Sequence, residues 1–176
     1  DDCTAGAACE SAQLISANGT RLANYRKTHL FGCFEHEHFT PGEQTVVQAE
    51  LDGLRVGLMI CYDVEFPENV RAHALAGTDL LLVPTAQMHP FQFVAESVVR
   101  VRAFENQMYV AYVNRVGQEG EFEFVGLSTL AGPDGPVTVQ SGVTVKDLAA
   151  ALGVSTAVLI KTMMGLGELV TITQSL

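Results

Sequence analysis

The chain has 176 residues, a formal net charge of −10 and 48% hydrophobic residues. That is enough for one sizeable domain, or for a medium domain plus a small module, with ample core. The acidity argues against DNA or anionic lipid as a partner, and no apolar run approaches the length of a membrane span.

No basic and apolar leader opens the chain, and the first residue is Asp1 rather than Met, so a processed chain or a fragment is expected. All of the net negative charge lies in residues 1–136, and residues 137–176 are neutral overall, which places a boundary near 136. Cys3, Cys9, Cys33 and Cys61 fit neither a metal spacing nor a dense disulfide framework. They point to a reducing, cytoplasmic setting.

In chain order, residues 1–10 carry no usable pattern. SAQLIS, ANGT and RLANYRK read as strand, turn and strand, with Asn18-Gly19 as the turn. THLFGCFEHEHFTPGE reads as a loop closed by Pro41-Gly42. TVVQAELDGLRVGLMIC reads as two strands around Asp52-Gly53. The second, Leu54 to Cys61, is almost wholly apolar, as in a central strand covered on both faces. Pro67 and Glu68 open a helix to about Ala76, stopped by Gly77, and DLLLVPT is the next buried strand. Strand, helix, strand makes a βαβ unit. A longer helix is expected from about Pro90 to Gln107, then the strand MYVAYVNRVG and the alternating EFEFVGLSTLAGPDG. In the tail, Thr144 is placed to cap a short helix stopped by Gly153. Ser155 is placed to cap a second helix, and ELVTITQ resembles a strand.

Cys61 ends the central strand, where sites form in open α/β sheets, just before a helix N-terminus. A strand cysteine is most often a small buried hydrophobe. A helix N-terminus or a cation favours its thiolate, whereas the acidic turn of Asp63, Glu65 and Glu68 raises its pKa. A nucleophile here therefore needs a nearby cation, and Lys27, at the end of its own strand, is the candidate. EHEHF, with His29 close by, has no second cluster to complete a metal site and reads as a solvated loop. Arg100, Arg102, Glu105 and Asn106 on the long helix read as a salt-bridged face or as shapers of the site.

YRKTHLFG and GLMICYDVEFPENVR, followed by DLLLVPTA, VRAFENQMYVAYVNRVG and FVGLSTLAGPDG, resemble the nitrilase superfamily of carbon–nitrogen hydrolases, amidase-like members above all. The likeness spans about residues 11–135 and is cut short at both ends. It implies an α/β fold: a partial α-β-β-α sandwich, followed here by a small, mainly helical module. It implies a small-molecule amide substrate. No cofactor or metal is expected, and sheet edges and core surface left by the missing segments are expected to make the chain self-associate, with a homo-oligomer as one form. By resemblance Cys61 is the nucleophile and Lys27 the oxyanion stabiliser. The Tyr62 N–H completes the oxyanion hole, and Glu35, with Glu37 as alternative, sits beside the lysine. The superfamily's general-base glutamate lies far upstream of the lysine. Here only Asp1, Asp2 and Glu10 precede Lys27, none in a matching motif, so a loss of about 10²–10⁴-fold is expected.

TVKDLAAALGVSTAVLIKTM has a helix-turn-helix layout, but its second helix is apolar, so DNA binding is not expected. Residues 143–176 resemble the amino-terminal module of bacterial translation initiation factor two. That resemblance implies an auxiliary module related to the ribosome or to translation factors. No phosphate-binding G-x-x-x-x-G-K-[ST] loop occurs. The expected organisation is an incomplete hydrolase-like domain over 1–136 and this module over 137–176, a chimera. The alternative function is a non-catalytic interaction module.

Overall fold

A computed structural model describes residues 8–136, 144–151, 155–157 and 159–160. The chain divides into two compact units, Asp1–Pro136 and Val137–Leu176.

The first unit opens with a hairpin, β1 (Ser11–Ile15) and β2 (Arg21–Arg26), paired antiparallel with Ser11 opposite Arg26. Gly19, at φ 84°, makes the turn. The main sheet has six strands: β3 (Gln48–Leu51), β4 (Leu54–Leu58), β5 (Leu80–Thr85), β6 (Tyr109–Asn114), β9 (Thr129–Gly132) and β10 (Gly135–Pro136). Their spatial order is β10-β9-β6-β5-β4-β3. β4, β5 and β6 are parallel, and the outer pairs are antiparallel. The helix α2 (Pro67–Leu75) crosses from β4 to β5, and a π turn (Val94–Val98) leading into α3 (Val99–Asn106) crosses from β5 to β6. β7 (Val116–Glu119) and β8 (Phe122–Val125) form a separate hairpin.

Alternation along the strands buries both faces of the sheet. Met59, Leu81, Val83, Val110 and Tyr112 meet Val70 of α2 and Val99 and Ala103 of α3. Val56 and Leu58 meet Leu14, Ala23 and Tyr25 of the first hairpin. α2 can press on β4 because position 57 is glycine. A Cβ there would lie 2.5 Å from His73 Nδ1. The layered α/β sandwich matches the class expected from the sequence.

Several local expectations are corrected. The loop after β2 contains α1 (Gly32–His38), steadied by stacking of Phe34 on His38 at 4.3 Å. Histidine, phenylalanine and cysteine are weak helix formers, so the sequence concealed it. β4 stops at Leu58, and Cys61 opens a 3-10 turn (Cys61–Glu65) rather than ending the strand. Leu54 and Arg55 are exposed, so only the second half of β4 is covered on both faces. The long helix begins at Val94 as a π turn, not at Pro90. Cys9 is disulfide-bonded, which departs from four reduced thiols, and Cys33 and Cys61 are free.

In the second unit, α4 (Val145–Ala151) is capped by Thr144, whose Oγ1 accepts the Asp147 N–H at 3.2 Å. The Leu159 N–H donates to the Ser155 carbonyl at 3.1 Å. The expected stop at Gly153 and the strand ELVTITQ lie outside the described residues. Among the described residues no helix is long and apolar enough to cross a membrane.

His73 is fully buried, and burial lowers its pKa from 6.5 to about 4. The folded state therefore binds fewer protons than the unfolded state between those values. Stability is retained above pH 6.5 and falls as pH drops towards about 4, by about 3 kcal/mol in all. Urea unfolding across this range is expected to show that slope, and His73→Gln should lack this part of it.

Candidate active site

Lys27 follows β2 directly. Its N–H donates to the Glu10 carbonyl and its carbonyl accepts the Gly42 N–H, at 2.9 and 2.8 Å. Gly42 fits because a Cβ there would lie 2.5 Å from the Arg26 carbonyl oxygen. The Lys27 side chain is 2% exposed. Its ammonium donates to Glu35 Oε1 and Oε2 at 2.7 and 2.6 Å and lies 2.8 Å from Glu10 Oε2. Glu35 comes from α1 and is held in turn by the Phe31 N–H at 2.5 Å. Glu37, the alternative, is exposed. Burial alone would lower the Lys27 pKa, but the two carboxylates outweigh it and hold the ammonium above its usual range.

Cys61 sits at φ 46°, in the left-handed region that costs a non-glycine residue about 1–3 kcal/mol. Hydrogen bonds on both sides impose that shape. The Met59 N–H donates to the Leu82 carbonyl at 3.0 Å. The Ile60 N–H donates to Asp63 Oδ2, and the Asp63 N–H returns to the Ile60 carbonyl, each at 3.1 Å. The thiol is pushed above its usual pKa, chiefly by burial. The Ala86 amide and the Lys27 charge act against this, while Glu35 and Glu65 add to it.

Asp63 does not face the thiol. Its fully buried carboxylate accepts the Tyr25 hydroxyl at 2.9 Å, the Thr28 hydroxyl at 3.0 Å, the His29 N–H at 2.9 Å and the Ile60 N–H at 3.1 Å. It thus ties the end of the Lys27 strand to the Cys61 turn. His29 also stacks on Phe66, with centroids 3.9 Å apart. Arg102 of α3 holds the same turn from the other side. It donates to the Val64 and Glu65 carbonyls at 3.1 and 2.9 Å and pairs with Glu105 at 3.0 Å. Burial raises the Glu65 pKa, and Arg102 opposes the rise.

These elements enclose a cavity of about 420 Å³. Lys27, Glu35, Cys61 and Tyr62, the residues given roles by resemblance, line it together with Glu10 and Glu65, whereas Glu37, Arg100, Arg102, Glu105 and Asn106 do not. One role escaped the sequence, and one residue was named there without its position. Asp63 looked like one acid in a charged turn, not an organiser. Glu10 had a findable signal: counting back from the Asn18-Gly19 turn pairs Ser11 with Arg26, so Glu10 falls beside Lys27. Among the described residues no group of three or more His, Cys, Asp or Glu side chains could hold a metal ion.

The carbon–nitrogen hydrolase family model matches residues 4–156. A second, short match, to the N-terminal region of translation initiation factor IF-2, covers 140–176. A hydrolase encoded in the pqqF 5' region of Pseudomonas protegens is 54% identical over 132 residues, covering 75% of this chain and 46% of the relative. An (R)-stereoselective amidase of a Pseudomonas species is 39% identical over 135 residues, covering 75% of this chain and 47% of the relative. The crystal structure of an amidase from Nesterenkonia sp. is 42% identical, with a TM-score of 0.70, covering 72% of this chain and 49% of that one. A mutant of that amidase shows covalent addition of the acetamide moiety of fluoroacetamide at its active site cysteine. The chain spans about half the length of these relatives.

If the Lys27 charge opposes the rise in the Cys61 pKa, Lys27→Met should raise that pKa further. Alkylation of Cys61 by iodoacetamide at pH 8, followed peptide by peptide, is expected to slow, because less of the thiol is ionised. Cys33 should keep its rate.

Proposed function

The chain belongs to the carbon–nitrogen hydrolase family, and on that basis we propose that it hydrolyses the carbon–nitrogen bond of a small, non-peptide amide. The observation that carries this reading is the shared cavity. The Cys61 thiol, a lysine between two carboxylates and a strained turn all face it.

In this reading the Glu10 carboxylate takes the thiol proton as Cys61 Sγ bonds to the amide carbon. The carbonyl oxygen becomes an oxyanion, and the Lys27 ammonium and the Tyr62 N–H stabilise it. Collapse breaks the carbon–nitrogen bond. The nitrogen leaves as ammonia or an amine with the proton from Glu10, and a thioester remains. Water then attacks the thioester and Glu10 accepts its proton; the carbon–sulfur bond breaks, Glu10 returns the proton to Cys61 Sγ, and the acid leaves. Glu35 is anchored at both of its oxygens by Lys27 and at one by the Phe31 amide, so it holds the ammonium in place. Glu10 is better suited to move protons: its side chain is 26% exposed, and Oε2 makes no well-aligned hydrogen bond, although it lies 2.8 Å from Lys27 Nζ. The upstream glutamate that the resemblance implies has no match before Lys27, and Glu10 is the carboxylate found there among the described residues.

Residues 137–176 are read as an accessory module of the initiation-factor type, supported by the short match over 140–176. Exposed Phe34, Phe93 and Phe104 support self-association of the first unit.

Ammonia release from a panel of aliphatic and carbamoyl amides tests the reading. The chain should exceed its Cys61→Ala variant on at least one amide. Glu10→Gln should lower the rate by about 10²–10⁴-fold. Equal release by the chain and by Cys61→Ala would overturn the proposal.

A further inference from the structure

The cavity around Cys61 is not electrically balanced. Among the residues lining it, Glu10, Glu35 and Glu65 are carboxylates, and Lys27 is the one cation facing them. Glu10 and Glu35 are both engaged with Lys27. Glu65 is different. Its carboxylate makes no hydrogen bond or ion pair among the described residues. The nearby Arg102 guanidinium is turned to the Val64 and Glu65 carbonyls and to the carboxylate of Glu105.

We propose that Glu65 selects substrates whose far end carries an ammonium group, so that the amides this site takes are small aminoamides. The reaction rests on the hydrolase reading above; the charge selection does not. An ammonium supplies donors to the Glu65 carboxylate and offsets its charge. A substrate bearing a carboxylate meets the same field with the opposite sign and is excluded. A cleft lined by one sign of charge raises the local concentration of the opposite ion by about 10–10³-fold.

The test labels Cys61 in the full chain with three methanethiosulfonates: 2-aminoethyl (cationic), methyl (neutral) and 2-sulfonatoethyl (anionic). Each forms a disulfide with the thiolate and releases methanesulfinate. Peptide-resolved mass spectrometry reads both free cysteines, with exposed Cys33 as internal reference. Relative to Cys33, the cation-to-anion rate ratio at Cys61 should be about tenfold or more. Glu65→Gln should remove most of that ratio. So should raising salt from about 10 mM to about 1 M, where screening shortens to about 3 Å; this needs no variant. An equal ratio in the chain and Glu65→Gln, an anion preference, or insensitivity to salt would overturn the proposal. Amide hydrolysis in the same preparations separates the two readings. A cation ratio without hydrolysis supports charge selection and counts against the hydrolase reading alone. Hydrolysis without the ratio overturns charge selection alone.

Discussion

The site depends on one buried carboxylate. Asp63 takes hydrogen bonds from Tyr25, Thr28 and His29 on one side and from Ile60 on the other. Those groups belong to the segment around Lys27, at and just after the end of β2, and to Ile60, just before the turn that starts at Cys61; Lys27 and Cys61 are 34 residues apart in sequence. A carboxylate removed from water is costly unless hydrogen bonds replace the solvent. Here the native contacts supply them, so Asp63 is settled only when the two segments meet. The same contact holds Ile60 and, through it, the strained backbone of Cys61. Backbone strain of this kind persists only where surrounding contacts over-determine it.

The electrostatics follow from that junction. Lys27 is buried between Glu10 and Glu35, which keeps it charged. Cys61 feels that charge, but burial together with Glu35 and Glu65 leaves its pKa above the usual value. The resting group is therefore a thiol. In the proposed reaction, its nucleophilic form arises as Glu10 takes the proton. This division suits acyl transfer: the cation stabilises a charge that develops during reaction rather than one stored beforehand.

Much of this was legible in the sequence. The strands around Asn18-Gly19 and Asp52-Gly53, the helix from Pro67 and the strand from Leu80 follow from alternation and turn chemistry, and all form. Cys61 and Lys27 stood out because a thiol beside acids calls for a cation. What stayed hidden depends on direction. A one-letter code lists Asp63, Glu65 and Glu68 as three like charges. The fold turns Asp63 inward, Glu65 into the cavity and Glu68 out to solvent. Arg102 read either as part of a salt-bridged helix face or as a shaper of the site; it pairs with Glu105 and also pins the carbonyls of Val64 and Glu65. α1 was missed because tertiary anchoring of Glu35 on Lys27, not local propensity, favours it.

The central claim is that Asp63 builds a cavity in which Cys61 attacks an amide carbon. The most direct measurement is capture of the acyl intermediate. The chain is mixed with a small amide, quenched in acid within seconds and analysed by peptide-resolved mass spectrometry. The account predicts an added acyl group on the Cys61 peptide, none on the Cys33 peptide, and its loss on treatment with hydroxylamine. No adduct at Cys61 across aliphatic and amino-substituted amides, or equal adducts at both cysteines, would contradict it.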